Sequence, residues 1–528
     1  MNDDVPPADP DAIRPELADL RSRVAATADE GRPDAVARRR KTGQRTAREN
    51  IADLVDEGTF VEYGGLAMAA QRQRYAVEEL ARISPADGIV CGLATVNGAL
   101  FDGDRARTMV LAYDYTVFAG TQGGMGHKKL DRMLELAAQR RVPVVLFAEG
   151  GGGRPNDIDL PSVAGLDTTS FLRFAALSGL VPSIGIASGR CFAGNAALLG
   201  CCSVVIATDD SNIGMGGPAM IEGGGLGIFK PGEIGPVAVQ AKNGVVDVRV
   251  KDEAEAVAVA KKYLAYFQGK ADGWTCADQS TLRHALPDRR RRAYKIRPII
   301  ETIADSSSVL ELRRDFGRSI VTALVRIEGR PMGLVANDPY HLGGAIDSDA
   351  ADKAARFLQL CDAFGLPVVS LCDTPGFMVG PAAERTALVR HVSRMFVAGA
   401  SVSVPFFTIV LRKGYGLGAQ AMSGGHFHAP FFTVSWPTGE FGGMNLEGAV
   451  RLGMRKELEA IEDPAAREQT FKGLVAMAYE RGKATNMASL LEIDAVIDPA
   501  ETRTWIVSGL RSASTTTRNA PRRFVDTW

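Results

Sequence analysis

Two glycine-rich turns carry the residues whose types and spacing suit catalysis. The first lies in GRCFAGNAALLG, residues 189–200, and the second in RKGYGLGAQAMSGG, residues 412–425. Aligned on each other, Gly194-Asn195 of the first stands at Leu417-Gly418 of the second, 223 positions later. Each turn follows an apolar run opening on Val-Pro, VPSIGIAS (181–188) and VPFFTIVL (404–411). A β-rich run, small residues and an Ala/Leu/Gly segment read as strand, tight turn and helix start. The first N–H groups of a helix have no intrahelical acceptor, and glycine removes the Cβ that would hold a ligand off. Main-chain donors so arranged suit an oxygen that gains negative charge during a reaction. Neither a nucleophile triad nor a pair of carboxylates competes with them.

The elements that must position these turns recur too. KLDRMLELAAQRRVPVV (129–145) aligns without a gap on KAARFLQLCDAFGLPVV (353–369). Upstream, IVCGLATVNG from Ile89 matches IVTALVRIEG from Ile320, and downstream FAEGGGG (147–153) matches LCDTPGF (371–377). A period this long marks a duplicated domain rather than a solenoid. The expected division is a helical or flexible segment over 1–40, loose over residues 1–11, then one half over 41–285 and a second over 286–528. Helical periodicity is expected over 127–140, 167–178 and 253–267, and strands over 87–96, 108–113, 142–148 and 203–208, with Asn97-Gly98 as a hairpin turn. Residues 150–153 form a glycine loop at a strand's carboxyl end, where open α/β sheets place ligands, and Arg154 follows it. Residues 212–227 read as a glycine-dense loop without the order of a triphosphate-binding loop. The basic runs Arg38 to Lys41 and PDRRRR (287–292) read as solvated faces, with docking or contact to a phosphate as the alternative.

The 528 residues suffice for two to four domains. A net charge of −1 offers no basic face to nucleic acid or acidic lipid. The seven cysteines form no CxxC pair, and His426 and His428 lack further ligands nearby, so no metal site is expected. The acidic N-terminal stretch has no apolar core and no apolar span of about twenty residues follows, which points to a cytoplasmic protein without membrane contact.

With both halves compared, the chain resembles the carboxyltransferase (β) subunits of biotin-dependent acyl-CoA carboxylases, in the crotonase/ClpP superfamily. The resemblance covers about residues 41–511. It is carried by KTGQRTAREN, DYTVFAGTQG from Asp114, the loop at residues 150–154, DTPGFMVG from Asp373, RKGYGLGAQ from Arg412, SWPTGEFGGM from Ser435 and IDAVIDPAETR from Ile493. It implies an α/β fold of two tandem crotonase-like domains built from repeated ββα units. Acyl-CoA would lie against the N-terminal half of one subunit, touching Gly151, Gly152, Gly153, Arg154 and Ala193. Carboxybiotin would lie against the C-terminal half of another, near Gly376, Phe377, Tyr415, Gly416 and Gln420. Release of CO₂ lets the biotin ureido nitrogen take the α-proton, and the acyl enolate then attacks CO₂. The oxyanion donors would be Gly194 with Asn195 and Leu417 with Gly418, where the family commonly shows Gly-Gly and Gly-Ala. Gln420 stands where short-chain carboxylases place a residue that helps select acyl length.

The resemblance also implies companions. The chain has neither a Met-Lys-Met biotinylation site nor an ATP-grasp phosphate loop, so a biotin carboxylase/biotin carboxyl carrier α subunit is expected. A homo-oligomer is implied, with a dimer as the minimal active unit and a hexamer as the family assembly. A biotin-dependent decarboxylase or transcarboxylase subunit would use the same half-reaction. A non-catalytic scaffold subunit would keep the fold without it.

Overall fold

In the computed structural model, which describes residues 13–160, 165–513 and 524–528, the chain folds around two mixed sheets. The expectation for residues 1–11 lies outside the described residues. In the first sheet Ile89–Thr95 and Arg107–Tyr113 pair antiparallel. Parallel strands follow at Val144–Phe147, Ser183–Ala187, Val204–Thr208 and Val248–Val250. The second sheet repeats the plan. Ile320–Ile327 and Arg330–Asn337 pair antiparallel, and Val368–Thr374, Phe406–Tyr415 and Phe432–Ser435 continue in parallel. Parallel strands buried on both faces read as near-continuous apolar runs. VVLF, SIGIA and VVIAT are buried at every position.

Helix Gly124–Arg140 buries Leu130, Met133, Leu134 and Ala137, one face of a 3.6-residue repeat. Its counterpart is Ser348–Ala363. Lys129 and Lys353 show how far the duplication extends. Lys129 Nζ donates to the carbonyls of Ala86 (2.9 Å) and Ile89 (2.5 Å), and Lys353 Nζ to those of Phe316 (3.0 Å) and Ile320 (2.7 Å). Each lysine thus pins the chain before the antiparallel pair to the helix after it.

Complete burial pushes the Lys353 ammonium down to about 7 from its ordinary 10.5. Between those values the unfolded chain binds the proton that the folded chain has lost. Stability therefore rises with pH across this window and falls as pH drops back towards 7. Lys353→Met should remove that rise, as urea midpoints at about pH 7 and about pH 9.5 would show. An unchanged pH dependence in the variant would place the titration elsewhere.

Three local expectations are corrected. The first antiparallel pair is joined through residues 96–106, including helix Gly103–Ala106, rather than by a tight Asn97-Gly98 turn. Asn97 instead donates to the Lys261 carbonyl (2.9 Å) and Gln268 Oε1 (2.8 Å), which ties the loop to the end of helix Glu253–Ala265. The tight turn occurs in the second half, where Glu328 and Gly329 both take positive φ. Residues 212–227 contain strand Asn212–Gly214 and helix Pro218–Gly223. The run at Arg38 is only partly solvated, because Arg39 is buried. Among the described residues no helix is long and apolar enough to cross a membrane.

Candidate functional site

Strand Arg190–Phe192 belongs to a small parallel sheet with Gly150–Gly151 and Asn212–Gly214, set off from the main one. Helix Ala193–Gly200 follows it directly, with Phe192 as its N-cap. In the second half, Phe406–Tyr415 runs directly into helix Gly416–Met422. Both helices open on a left-handed residue, Ala193 at φ 50° and Gly416 at φ 57°. Left-handed alanine is strained, and such strain gathers at functional turns.

Gly194-Asn195 and Leu417-Gly418 are therefore the second and third residues of their helices. Their N–H groups have no intrahelical acceptor. Among the described residues, no other backbone acceptor takes them. The alignment register of the two pairs and their helical register are the same.

Close backbone approach explains two of the glycines. A Cβ on Gly151 would lie 1.9 Å from the Phe192 carbonyl oxygen, so only glycine lets this loop pair beside the first turn. A Cβ on Gly418 would lie 2.7 Å from Gly376 Cα and 3.1 Å from the Phe377 nitrogen, so that loop rests directly on the second turn. The structure thus brings together Gly151, Ala193, Gly194 and Asn195, and separately Gly376, Phe377, Gly416, Leu417 and Gly418. Single parallel bridges, Gln122 to Gly153 and Ile346 to Phe377, anchor the two loops at matching positions.

Other predicted residues are placed differently. Arg154 turns inward, with its side chain only 5% exposed. It pairs with buried Asp87, donates to the Thr121 carbonyl (2.9 Å) and lies 4.8 Å over the Phe118 ring. Burial pushes the Asp87 carboxyl up, while Arg154 pulls it down. These contacts tie the residue after the glycine loop to Asp87 and Thr121. Tyr415 is buried and donates to Glu440 Oε1 (2.8 Å), so its hydroxyl faces the interior. The Phe377 ring meets Phe396 edge-on at 5.9 Å. Gln420 is half-buried, and Leu417 is 63% exposed.

Sequence reasoning missed the charged pairs behind the turns. Arg39 reaches from the N-terminal helices to Glu149, with Nη1 2.8 Å from Oε1. Burial raises the Glu149 carboxyl to about 7 even though Arg39 favours its charged form. In the second half Asp373 occupies the matching strand end and pairs with Arg412 at 3.1 Å. The aligned acids Glu149 and Asp373 were the available signal. A cavity of about 380 Å³ lies between strands Val248–Val250 and Leu310–Leu312. It lies apart from both turns, and its Arg249 and Arg297 already have acidic partners. Among the described residues no cluster of His, Cys, Asp or Glu could hold a metal ion.

Residues 38–527 match the family model described as a carboxyl transferase domain. The chain is 32% identical over 511 residues to the biotin-dependent long chain acyl-coenzyme A carboxylase beta4 subunit of Mycobacterium tuberculosis, covering 92% of each. It is 30% identical over 520 residues to the methylmalonyl-CoA carboxyltransferase 12S subunit of Propionibacterium freudenreichii subsp. shermanii, covering 96% of this chain and 95% of that one. Among solved structures it matches a single-chain, multi-domain long-chain acyl-CoA carboxylase at 60% identity and a TM-score of 0.89. That match covers 94% of this chain and 49% of the other, so the chain spans about half of that longer enzyme. Transcarboxylase 12S with methylmalonyl-CoA bound matches at 28% identity and a TM-score of 0.82, over 96% of both chains. The α/β, crotonase-like architecture is that of these structures, and the chain belongs to the carboxyl transferase domain family.

Proposed function

We propose that this chain transfers CO₂ from carboxybiotin to an acyl-CoA, as the carboxyltransferase of a biotin-dependent acyl-CoA carboxylase. The observation that carries the reading is the doubled turn, with a pair of free first-turn amides at the same helical position in each half. Carboxyl transfer needs two such sites, because the thioester oxygen and the ureido oxygen both gain negative charge along it. Carboxybiotin, held on a partner protein or domain, supplies the CO₂. Gly194 and Asn195 would hold the thioester oxygen as the α-carbon loses its proton, and Leu417 and Gly418 the ureido oxygen.

The glycine loop fits an acyl-CoA. A Cβ on Gly153 would meet nothing within 4 Å and its φ is ordinary, so the chain's own packing does not require glycine there. Its bareness leaves room for a ligand beside Gly151, Gly152 and Ala193. The exposed Leu417 fits a site completed between subunits. The 12S relative is a hexamer assembly. The 60% identical enzyme carries additional domains on one chain, so the biotinylated partner would be a separate subunit or a fused domain.

Purified chain with free biotin should decarboxylate malonyl-CoA or methylmalonyl-CoA, and with the biotinylated partner it should carboxylate one member of an acyl-CoA panel. Absence of turnover on every ester in both assays would favour the scaffold role instead.

A further inference from the structure

The two turns differ at the third helical residue, Asn195 in one and Gly418 in the other. Asn195 and Asn337 are both fully buried. Asn195 Nδ2 donates to the carbonyl of Glu149 (2.6 Å) and to that of Gly120 (3.2 Å). Both neighbours are acceptors, so the NH₂ end of the carboxamide must face them. The corresponding carbonyls in the second half are those of Asp373 and Gly344. The geometry there is the same, because a Cβ would lie 2.5 Å from the Glu149 oxygen on Gly120 and 2.4 Å from the Asp373 oxygen on Gly344. In the second half, however, the tie comes from Asn337 at the end of the preceding strand. Its Nδ2 donates to the Gly344 carbonyl (3.4 Å), and its Oδ1 accepts from the Asp373 N–H (3.0 Å).

Each half therefore has one buried asparagine joining its strand end to the glycine turn beside it. Only in the first half does that asparagine also supply a candidate oxyanion N–H. We infer that the Asn195 carboxamide is a positioning residue for the first turn, fixing the direction of the Gly194 and Asn195 N–H groups by bracing their helix against the glycine loop. The inference rests on the carboxyltransferase reading. Its second support is that the arrangement disfavours stability. The Asn195 Oδ1 atom is buried with no hydrogen-bond partner, and neighbouring Ala193 is left-handed. Unpaired buried atoms and backbone strain persist where geometry serves a site. The second turn needs no such brace from its helix, because the Gly376-Phe377 backbone rests directly on Gly418.

The test compares Asn195→Gly, Asn195→Ala and Asn195→Ser with the unaltered full chain, using decarboxylation of malonyl-CoA in the presence of free biotin. Thermal midpoint and assembled mass are measured alongside. Asn195→Gly, which copies the residue of the second turn, should lower kcat by about 10- to 100-fold while KM for the CoA ester changes by less than about threefold. Asn195→Ser, which keeps one shorter donor, should fall between Gly and the unaltered chain. Undiminished kcat in Asn195→Gly would overturn the inference alone, as would a loss of activity that only tracks a loss of assembled protein. No turnover by the unaltered chain on any ester would overturn the carboxyltransferase reading, and this inference with it.

Discussion

Gly418→Val should lower carboxyl transfer about a thousandfold, near the upper end of what removing one oxyanion donor costs. Its Cβ would enter space already filled by backbone, 2.7 Å from Gly376 Cα and 2.8 Å from Gly376 C. Side-chain rotation cannot relieve a clash with main chain, so either the loop or the first turn of helix Gly416–Met422 must move. Either movement re-aims the Leu417 and Gly418 N–H groups. Core strand Phe406–Tyr415 precedes the clash and pairs with Val368–Thr374 and Phe432–Ser435, so the second sheet should survive. The expected outcome is near-native circular dichroism and assembly with kcat collapsed. Turnover within about tenfold of the unaltered chain would remove this pair from the oxyanion role.

Much of this architecture was legible because duplication doubles every signal. The aligned segments at 129–145 and 353–369 predict the same helix and strand twice, and both appear as Gly124–Arg140 with Val144–Phe147 and Ser348–Ala363 with Val368–Thr374. The turns were legible because helix starts have local signatures, and the pairing of Gly194-Asn195 with Leu417-Gly418 follows from alignment alone. What stayed hidden depends on contacts distant in sequence. Asn97-Gly98 has the composition of a tight turn, but its asparagine is claimed by residues more than 160 positions away. The run at Arg38 reads as solvated until Arg39 meets Glu149, 110 positions on. Asn195 counted only for its backbone, since no local pattern shows that its side chain joins Gly120 to Glu149.

Arg154 shows the same limit, and its replacement separates two roles cleanly. Were it a ligand contact, Arg154→Met would leave stability alone and raise KM for acyl-CoA. The structure favours the opposite result. Arg154 and Asp87 are 5% and 0% exposed at their side chains, and removing one partner of a buried pair leaves an unpaired buried charge. Such a loss destabilises by about 3–5 kcal/mol, so Arg154→Met should unfold at markedly lower denaturant concentration. Asp87→Asn in the same chain should restore much of the loss, because the stranded charge is then gone. The pH dependence gives an independent check. Burial already raises the Asp87 carboxyl above its ordinary 3.8, and Arg154 opposes that rise. Without Arg154 the folded-state value climbs further, so the folded variant binds a proton that the unfolded chain releases. Stability of Arg154→Met should then fall as pH rises through that window, and its deficit should shrink as pH falls back towards the ordinary carboxylate range. A variant with native stability and raised KM at every pH would instead return Arg154 to the acyl-CoA site.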